Sequence, residues 1–435
     1  MQKNTTSHTP SFRLNYLVLL SLCSICFTSF AEQTDTKQRY QLNEHGDLIR
    51  TPEQIATRKA NMAAAKLLPV APVAFPSDKQ LIDFFLPIPR QSKNQPGRLW
   101  GSDAVQMRDP ANGLESSAPD YCYWDGQIVK ADDGKYHMYA SRWDQSYPHG
   151  KGWKVGSKAI HAVSDKAIGP YKDTGLAWPY WQDGKGHNVI GLRLKDGRYA
   201  IVSSEITPGN VFVSDKPDGP WDYLGEIQTA ATKLNDTEAA TGLARYPWNG
   251  FMSNVMIRIR HDGRYMITPR STAPLISESG VLGPYTIAGT RAYAEIEGFP
   301  QHFVEDPTLW YSGGMYHMVV NHHPTNRSYH LTSENGIDGW KNRGIAFTKD
   351  QDIFKYDDGT VVKWRVIQRP TAYLENGTVS HFLFSVIDVG KGQDRGNDKH
   401  CSKIVVVPFD GKAFDKYMQS LIEKEKQQNT KSTLD

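Results

Sequence analysis

One strand-turn-strand pattern recurs four times along this 435-residue chain, and self-similarity of that kind narrows the fold further than composition does. It reads DGQIVKADDGKYHMYAS at 125–141, NVIGLRLKDGRYAIVSS at 188–204, NVMIRIRHDGRYMITPR at 254–270 and EDPTLWYSGGMYHMVVN at 305–321. A tyrosine follows the glycine-containing turn each time (Tyr136, Tyr199, Tyr265, Tyr316), and 11 residues before it stand Asp125, Asn188, Asn254 and Glu305. A weaker copy, QRPTAYLENGTVSHFLF at 368–384, puts Gln368 in the same slot. Behind the first four copies comes a second signature: SDKAIGPY, SDKPDGPW, SESGVLGPY and SENGIDGW, each a Ser and an acid, then a Gly and an aromatic. Two hairpins per copy make four short strands, and the slots lie 63, 66, 51 and 63 residues apart. Four-stranded units at such a period are propeller blades. The expected fold is all-β, a five-bladed β-propeller spanning roughly 115–412.

The flanks carry other signals. Arg13 precedes an apolar run from Leu14 to about Phe30, and Ser29-Phe30-Ala31 offers small residues where a signal peptidase cuts, so residues 1–31 read as a signal peptide and the protein as periplasmic or secreted. Neither Cys23 nor Cys26 follows a small residue, and no later run reaches the ~18 apolar residues of a spanning helix, so no membrane anchor is expected. Residues 32–114 form an N-terminal extension. In it TPEQIATRKANMAAAKLL has Thr51 as N-cap, Pro52 at the first helical position and Gln54 in capping-box position. This short helix is expected to pack beneath the propeller or to mediate homodimer contacts. Residues 413–435 read as a tail, helical and then disordered.

A net charge of +3 without a basic stripe excludes a nucleic-acid footprint. The 11 Trp and 21 Tyr suit a turn-rich β protein with a sugar-binding surface, although aromatics are more often core than platform. With the leader removed, Cys122 and Cys401 remain, near opposite ends of the propeller where its last strand meets its first blade. A disulfide between them is expected in an oxidising compartment, with two buried free thiols as the alternative.

The first strand of every propeller blade lines the central channel, so residues that open those strands converge from distant parts of the chain. Asp125, Asn188, Asn254, Glu305 and Gln368 are expected to form a polar ring, with His187, Ser253, Asp306 and Arg369 beside it. Such residues cap turns individually, but five of them opening apolar strands describe a pocket better than a core. Arg142, Arg270, Arg369 and His322 are expected to bind substrate around it, together with His187, Asn188, Asn254 and Asp306. No metal-ligand spacing stands out: Asn321-His322-His323-Pro324 places its two histidines on opposite strand faces. No cofactor is required, and the channel leaves room for a structural calcium.

An aspartate opening the first blade and a glutamate opening the fourth, each before a strand, a glycine turn and a tyrosine, resemble the five-bladed glycosidases of glycoside hydrolase family 43 and its relatives in families 32 and 117. The segment EDPTLWYSGGMYHMVV is similar to the one carrying the general acid there, and WDGQIVKADDGKYHMYAS to the one carrying the base or nucleophile. The resemblance implies Asp125 as base or nucleophile and Glu305 as proton donor. Asp306 is the rival donor, because adjacent strand residues face opposite ways. It also implies a third acid opening the third blade, where this chain has Ser253-Asn254; Glu205 and Asp306 are the candidate substitutes. The expected activity is an exo-acting glycoside hydrolase releasing a terminal sugar from oligosaccharides of an acidic or algal polysaccharide. Two alternatives stand beside it: a uronate-directed eliminase using His or Tyr with Arg, and a propeller that binds sugar without reacting.

Overall fold

Period and hairpin spacing become five separate antiparallel sheets: β1–β4 between Tyr121 and Leu176, β5–β8 between Ile190 and Glu226, β9–β12 between Met256 and Ile287, β13–β16 between Val304 and Thr348, and β17–β19 between Val366 and Pro408. Within each, strands follow chain order from the innermost outwards. The computed structural model describes residues 49–89, 121–230, 252–396, 400 and 402–432. The expected signal peptide, the linker before Tyr121, Cys401 and the end of the tail lie outside the described residues. Among the described residues no helix is long and apolar enough to cross a membrane.

The innermost strands β1 (Tyr121–Lys130), β5 (Ile190–Arg193), β9 (Met256–Ile259), β13 (Val304–Ser312) and β17 (Val366–Glu375) each contact the next, and β17 returns to β1. That cycle closes a five-bladed propeller. The core is the set of wedges between blades. Tyr139, Trp178, Phe212 and Trp221 fill the wedge between the first and second blades, with Trp178 stacked on Phe212 at 3.8 Å. Side chains buried like these contribute about 1.5–3 kcal/mol each. Close approach of neighbouring blades sets one residue outright: a Cβ on Gly191 in β5 would stand 1.9 Å from the Tyr139 ring.

The second signature has a structural use. Its serine ends the third strand and accepts a backbone N–H two or three residues on (Ser164 from Lys166, Ser214 from Lys216, Ser277 from Ser279, Ser333 from Gly336). Its aromatic then turns inward, with Tyr171 and Tyr285 donating to the carbonyls of Ala167 and Val281. Buried histidine pairs tie the second and third strands in two blades: His137 to His161 at 2.8 Å and His317 to His330 at 3.0 Å. Burial pushes His161 down to about 4, His317 to about 3 and His330 well below its usual value, so these three rings are neutral scaffolding.

The fifth blade has three strands of its own, and the N-terminal extension covers its outer edge. Leu86 N–H donates to the Pro408 carbonyl and Asp410 N–H to that of Phe84, while Phe85 bridges Phe409. Where the last strand meets the first blade, Tyr123 N–H donates to the Ser402 carbonyl. Cys122, buried at this seam, is disulfide-bonded; its expected partner Cys401 is outside the described residues. The helix Pro52–Lys66 has its Thr51–Gln54 capping box as read from the sequence. The C-terminal helix runs from Gly411 to Ser432, longer than the tail assignment implies. Phe414, Met418 and Leu421 bury one face of it, and Glu425 binds Arg343 at 2.8 Å.

Candidate active site at the channel mouth

Each blade carries a non-glycine residue with positive φ at or near the start of its innermost strand: Asp125 (50°), Asn188 (47°), Asn254 (47°), Asp306 (58°) and Arg369 (50°), with Phe303 (60°) a second one in the fourth blade. In β1, β13 and β17 the strand register slips at this point, a bulge that re-aims the side chain. The fixed count of 11 residues assigns the fourth and fifth slots to Glu305 and Gln368; both fall one residue early. The reason lies in the hairpins. The first three blades turn through three-residue loops ending in Gly134, Gly197 and Gly263, closed by Ala131–Lys135, Leu194–Arg198 and Arg260–Arg264 hydrogen bonds. The fourth and fifth use two-residue loops, Gly313-Gly314 between Ser312 and Met315 and Asn376-Gly377 between Glu375 and Thr378. Both loop residues have positive φ there, as a tight primed turn demands.

The five residues close a ring across the axis. Asn188 Nδ2 donates to Asn254 Oδ1 (2.9 Å), and Asn254 Nδ2 to Asp306 Oδ1 (2.8 Å). Arg369 donates from its backbone N–H to Asp306 Oδ2 (3.4 Å) and from Nε to Asp125 Oδ1 (2.6 Å). Asn188 N–H reaches Asp125 Oδ2 at 3.1 Å. Two amides in series between two carboxyls impose a parity, because each amide has one donating and one accepting end. With Asn254 donating to Asp306, the Asn188 carbonyl faces Asp125, and that contact is attractive only when Asp125 carries a proton. Turning Asn188 alone gives Asp125 an N–H at 2.7 Å but sets two carbonyl oxygens 2.9 Å apart. Burial pushes Asp125 upward, against the pull of Arg369. One proton, one guanidinium and two carboxyls make the ring neutral.

Above the ring lies a second layer. Glu305 is the accessible carboxylate of this layer, with 22% of its side chain exposed against 3% for Asp125. Arg270 Nη1 lies 3.1 Å from it, and His323 Nε2 pairs with its Oε1. Burial alone would raise Glu305, but His323 and Arg270 hold it well below the ordinary carboxylate range. Burial would lower His323, but Glu305 lifts it above its usual value. The pair is therefore ionic, with its proton on the imidazole. Arg270 also reaches Glu205 at 3.4 Å. Glu205 accepts from Ser253 Oγ (2.6 Å) and from Asn254 N–H (3.2 Å), so the second blade supplies the carboxylate that the third-blade slot lacks. Gln368 touches the His323 ring at 3.2 Å. Lys391 lies over the Trp124 ring at 4.6 Å, and burial lowers it despite Asp306, Glu305 and Asp125.

On the first-blade side His187 sits 3.8 Å from Asp125 and bonds Ser157 at 2.9 Å, with Trp153 stacked on its ring. Burial pushes it down to about 3, so it is neutral. Of the residues expected from sequence, Asp125, His187, Asn188, Asn254, Arg270, Glu305, Asp306 and Arg369 do meet here. Arg142 does not: it pairs with Asp173 at 2.5 Å and stacks on Tyr121. His322 bonds Thr325 at 2.8 Å, and its neighbour His323 takes the mouth position. The sequence marks the pair as poor joint ligands but not which one enters: His322 ends the strand Met315–His322, and His323 opens the short helical turn that follows it. Lys391 sits in the loop after β18 (Thr378–Ile387) and carries no sequence signal. Donor atoms of Glu305, Asp306 and His323 lie within 4.8 Å of one another, close enough for a cation. Arg270, Arg369 and Lys391 already bring positive charge to that point.

No family model matches the chain, and no curated protein does. Among solved structures, Zg3597, a family 117 glycoside hydrolase of the marine bacterium Zobellia galactanivorans, is 14% identical with a TM-score of 0.46, over 68% of this chain and 88% of that one. The GH43_1 enzyme from Xanthomonas citri is 13% identical (TM-score 0.43; 68% and 89%). An exo-β-1,3-galactanase from Phanerochaete chrysosporium is 10% identical (TM-score 0.45; 70% and 65%). The chain resembles the five-bladed glycosidases of these families. Identities this low leave the roles of individual residues to local geometry.

Proposed function

We propose that the protein is an exported, exo-acting glycoside hydrolase that reacts at the channel mouth on the terminal unit of an acidic oligosaccharide. One observation carries this reading: an accessible carboxylate, Glu305, is ion-paired with a charged imidazole beside the buried Asp125–Arg369 pair. Glycoside hydrolysis needs a proton donor at the leaving oxygen and a base or nucleophile on the other face of the sugar. Glu305 is held ionised, so His323 is the group that gives the proton, and Glu305 keeps it charged and helps recharge it. Arg270, steadied by Glu205, positions Glu305. Asp125, paired with Arg369, serves as base once it has released the ring's proton. The exo preference follows from the resemblance and from the small size of a propeller pocket.

A second reading, elimination on a uronate, is favoured by the same ionised Glu305, which as a carboxylate makes a base. There Arg270 would neutralise the sugar's carboxylate and His323 would protonate the leaving oxygen. Product analysis separates the two. Incubation with neutral and uronate-containing oligosaccharides should release new reducing ends and no ultraviolet-absorbing unsaturated sugar. Unsaturated product would overturn hydrolysis.

A further inference from the structure

Between the fourth and fifth blades, beside the mouth, opens a pocket of about 230 Å³. Arg327, Lys349, Arg365 and Lys391 line it, with His322 and His323 on the side of the site, and among the described residues no aspartate or glutamate does. Elsewhere several cations meet acids: Arg193 with Asp132, Arg142 with Asp173, Arg343 with Glu425. Among the described residues Lys349, Arg365 and Lys391 have no such ion pair. Arg327 is held in place by the carbonyl of Leu68, just past the N-terminal helix (2.9 Å). Like charges crowded around a small concavity repel one another and focus a positive potential into it. An anion relieves both.

We infer that this pocket is a subsite for an anionic substituent, a sulfate ester or a carboxylate, on the sugar unit adjoining the one that meets Glu305. His323 links the two places, since it lines the pocket and pairs with Glu305. The volume is below the roughly 300 Å³ of small-molecule clefts, which suits one substituted sugar and not a run of them. The proposal rests on the hydrolase reading only for where the reacting sugar lies.

The test is a binding titration of the full chain by calorimetry with a neutral hexose, its sulfate ester and the matching uronic acid, with inorganic sulfate as competitor. At least one anionic sugar should bind about tenfold or more tighter than the neutral one. Salt should erode that preference, and sulfate should compete. Whether ester or acid binds better identifies the source of the charge. The Lys349→Ala/Arg365→Ala variant should lose the preference while keeping its circular dichroism and thermal midpoint; Lys391→Met gives an independent second variant. Equal or undetectable binding of all three sugars, or a preference that survives in both folded variants, overturns the subsite. Binding does not require turnover. Charge-selective binding without hydrolysis would remove the hydrolase reading and leave the subsite, and hydrolysis without charge selectivity would do the reverse.

Discussion

Replacing Arg369 by methionine should destabilise the propeller more than any surface charge substitution, and most strongly at neutral pH. Arg369 is 7% exposed and contacts a 3% exposed Asp125 at 2.6 Å. Its removal leaves a buried negative charge at the axis with no cation in the ring. Breaking one partner of a buried pair costs about 3–5 kcal/mol. With an unfolding entropy of about 2.1 cal/mol/K per residue over roughly 300 residues, that is a fall of about 5–8 °C in thermal midpoint. Arg193→Met is the control: its pair with Asp132 is exposed (39% and 75%), worth at most about 1 kcal/mol, or about 1–2 °C. The pH dependence has a definite sign. Asp125 is raised above its ordinary 3.8 by burial and held back by Arg369, so without Arg369 the negative charge left in the ring is harder to hold and the ring takes up protons at higher pH. A raised carboxyl contributes stability below its unfolded value and loses it as pH climbs through the folded value. The deficit of the variant should therefore shrink in acidic buffer and be full at neutral pH. Scanning calorimetry of both variants at the two pH values reads this directly. A neutral-pH fall in Arg369→Met no larger than in Arg193→Met would refute the neutral axial ring.

Three other outcomes are expected. In Glu305→Gln, the His323 imidazole should titrate below its wild-type value, because burial then acts without the carboxylate that lifts it; the ring-proton NMR titration reports this. In the wild type the Glu305–His323 pair should be intact between the ordinary values of 4.5 and 6.5. It should weaken below that window as Glu305 protonates and above it as His323 loses its proton, so the alkaline limb of any activity should lie above 6.5. Gly191→Ala, whose new methyl would meet Tyr139, should cost about 1–3 kcal/mol or more, measured as a lowered thermal midpoint with the pH profile unchanged.

The blade repeat was legible because hairpin turns, buried aromatics and strand alternation leave local marks, and the propeller follows from their order. The ring was legible to within one residue. Its error at Glu305 and Gln368 came from treating a three-residue and a two-residue turn as equal, although SGGM and ENGT differ visibly from DDGK. What could not be read is what depends on chain segments far apart. The sequence offers Glu205 and Asp306 for the missing third-blade acid without choosing between them, and the contacts of Ser253, Asn254 and Arg270 single out Glu205; nor does it say that His323 rather than His322 enters the mouth. Lys391 comes from a loop with no pattern. The edge of the fifth blade is covered by residues 84–86, more than 300 positions from β19 (Lys403–Pro408).

The most direct measurement is turnover of acidic oligosaccharides by the wild type, Glu305→Gln and His323→Gln, with products resolved as reducing ends and as unsaturated sugars. Hydrolysis without unsaturated product, reduced by about 100-fold or more in both variants while they remain folded, is the expected result. Undiminished hydrolysis in either folded variant, or an unsaturated product from the wild type, would contradict the assignment of the mouth pair as the hydrolytic centre.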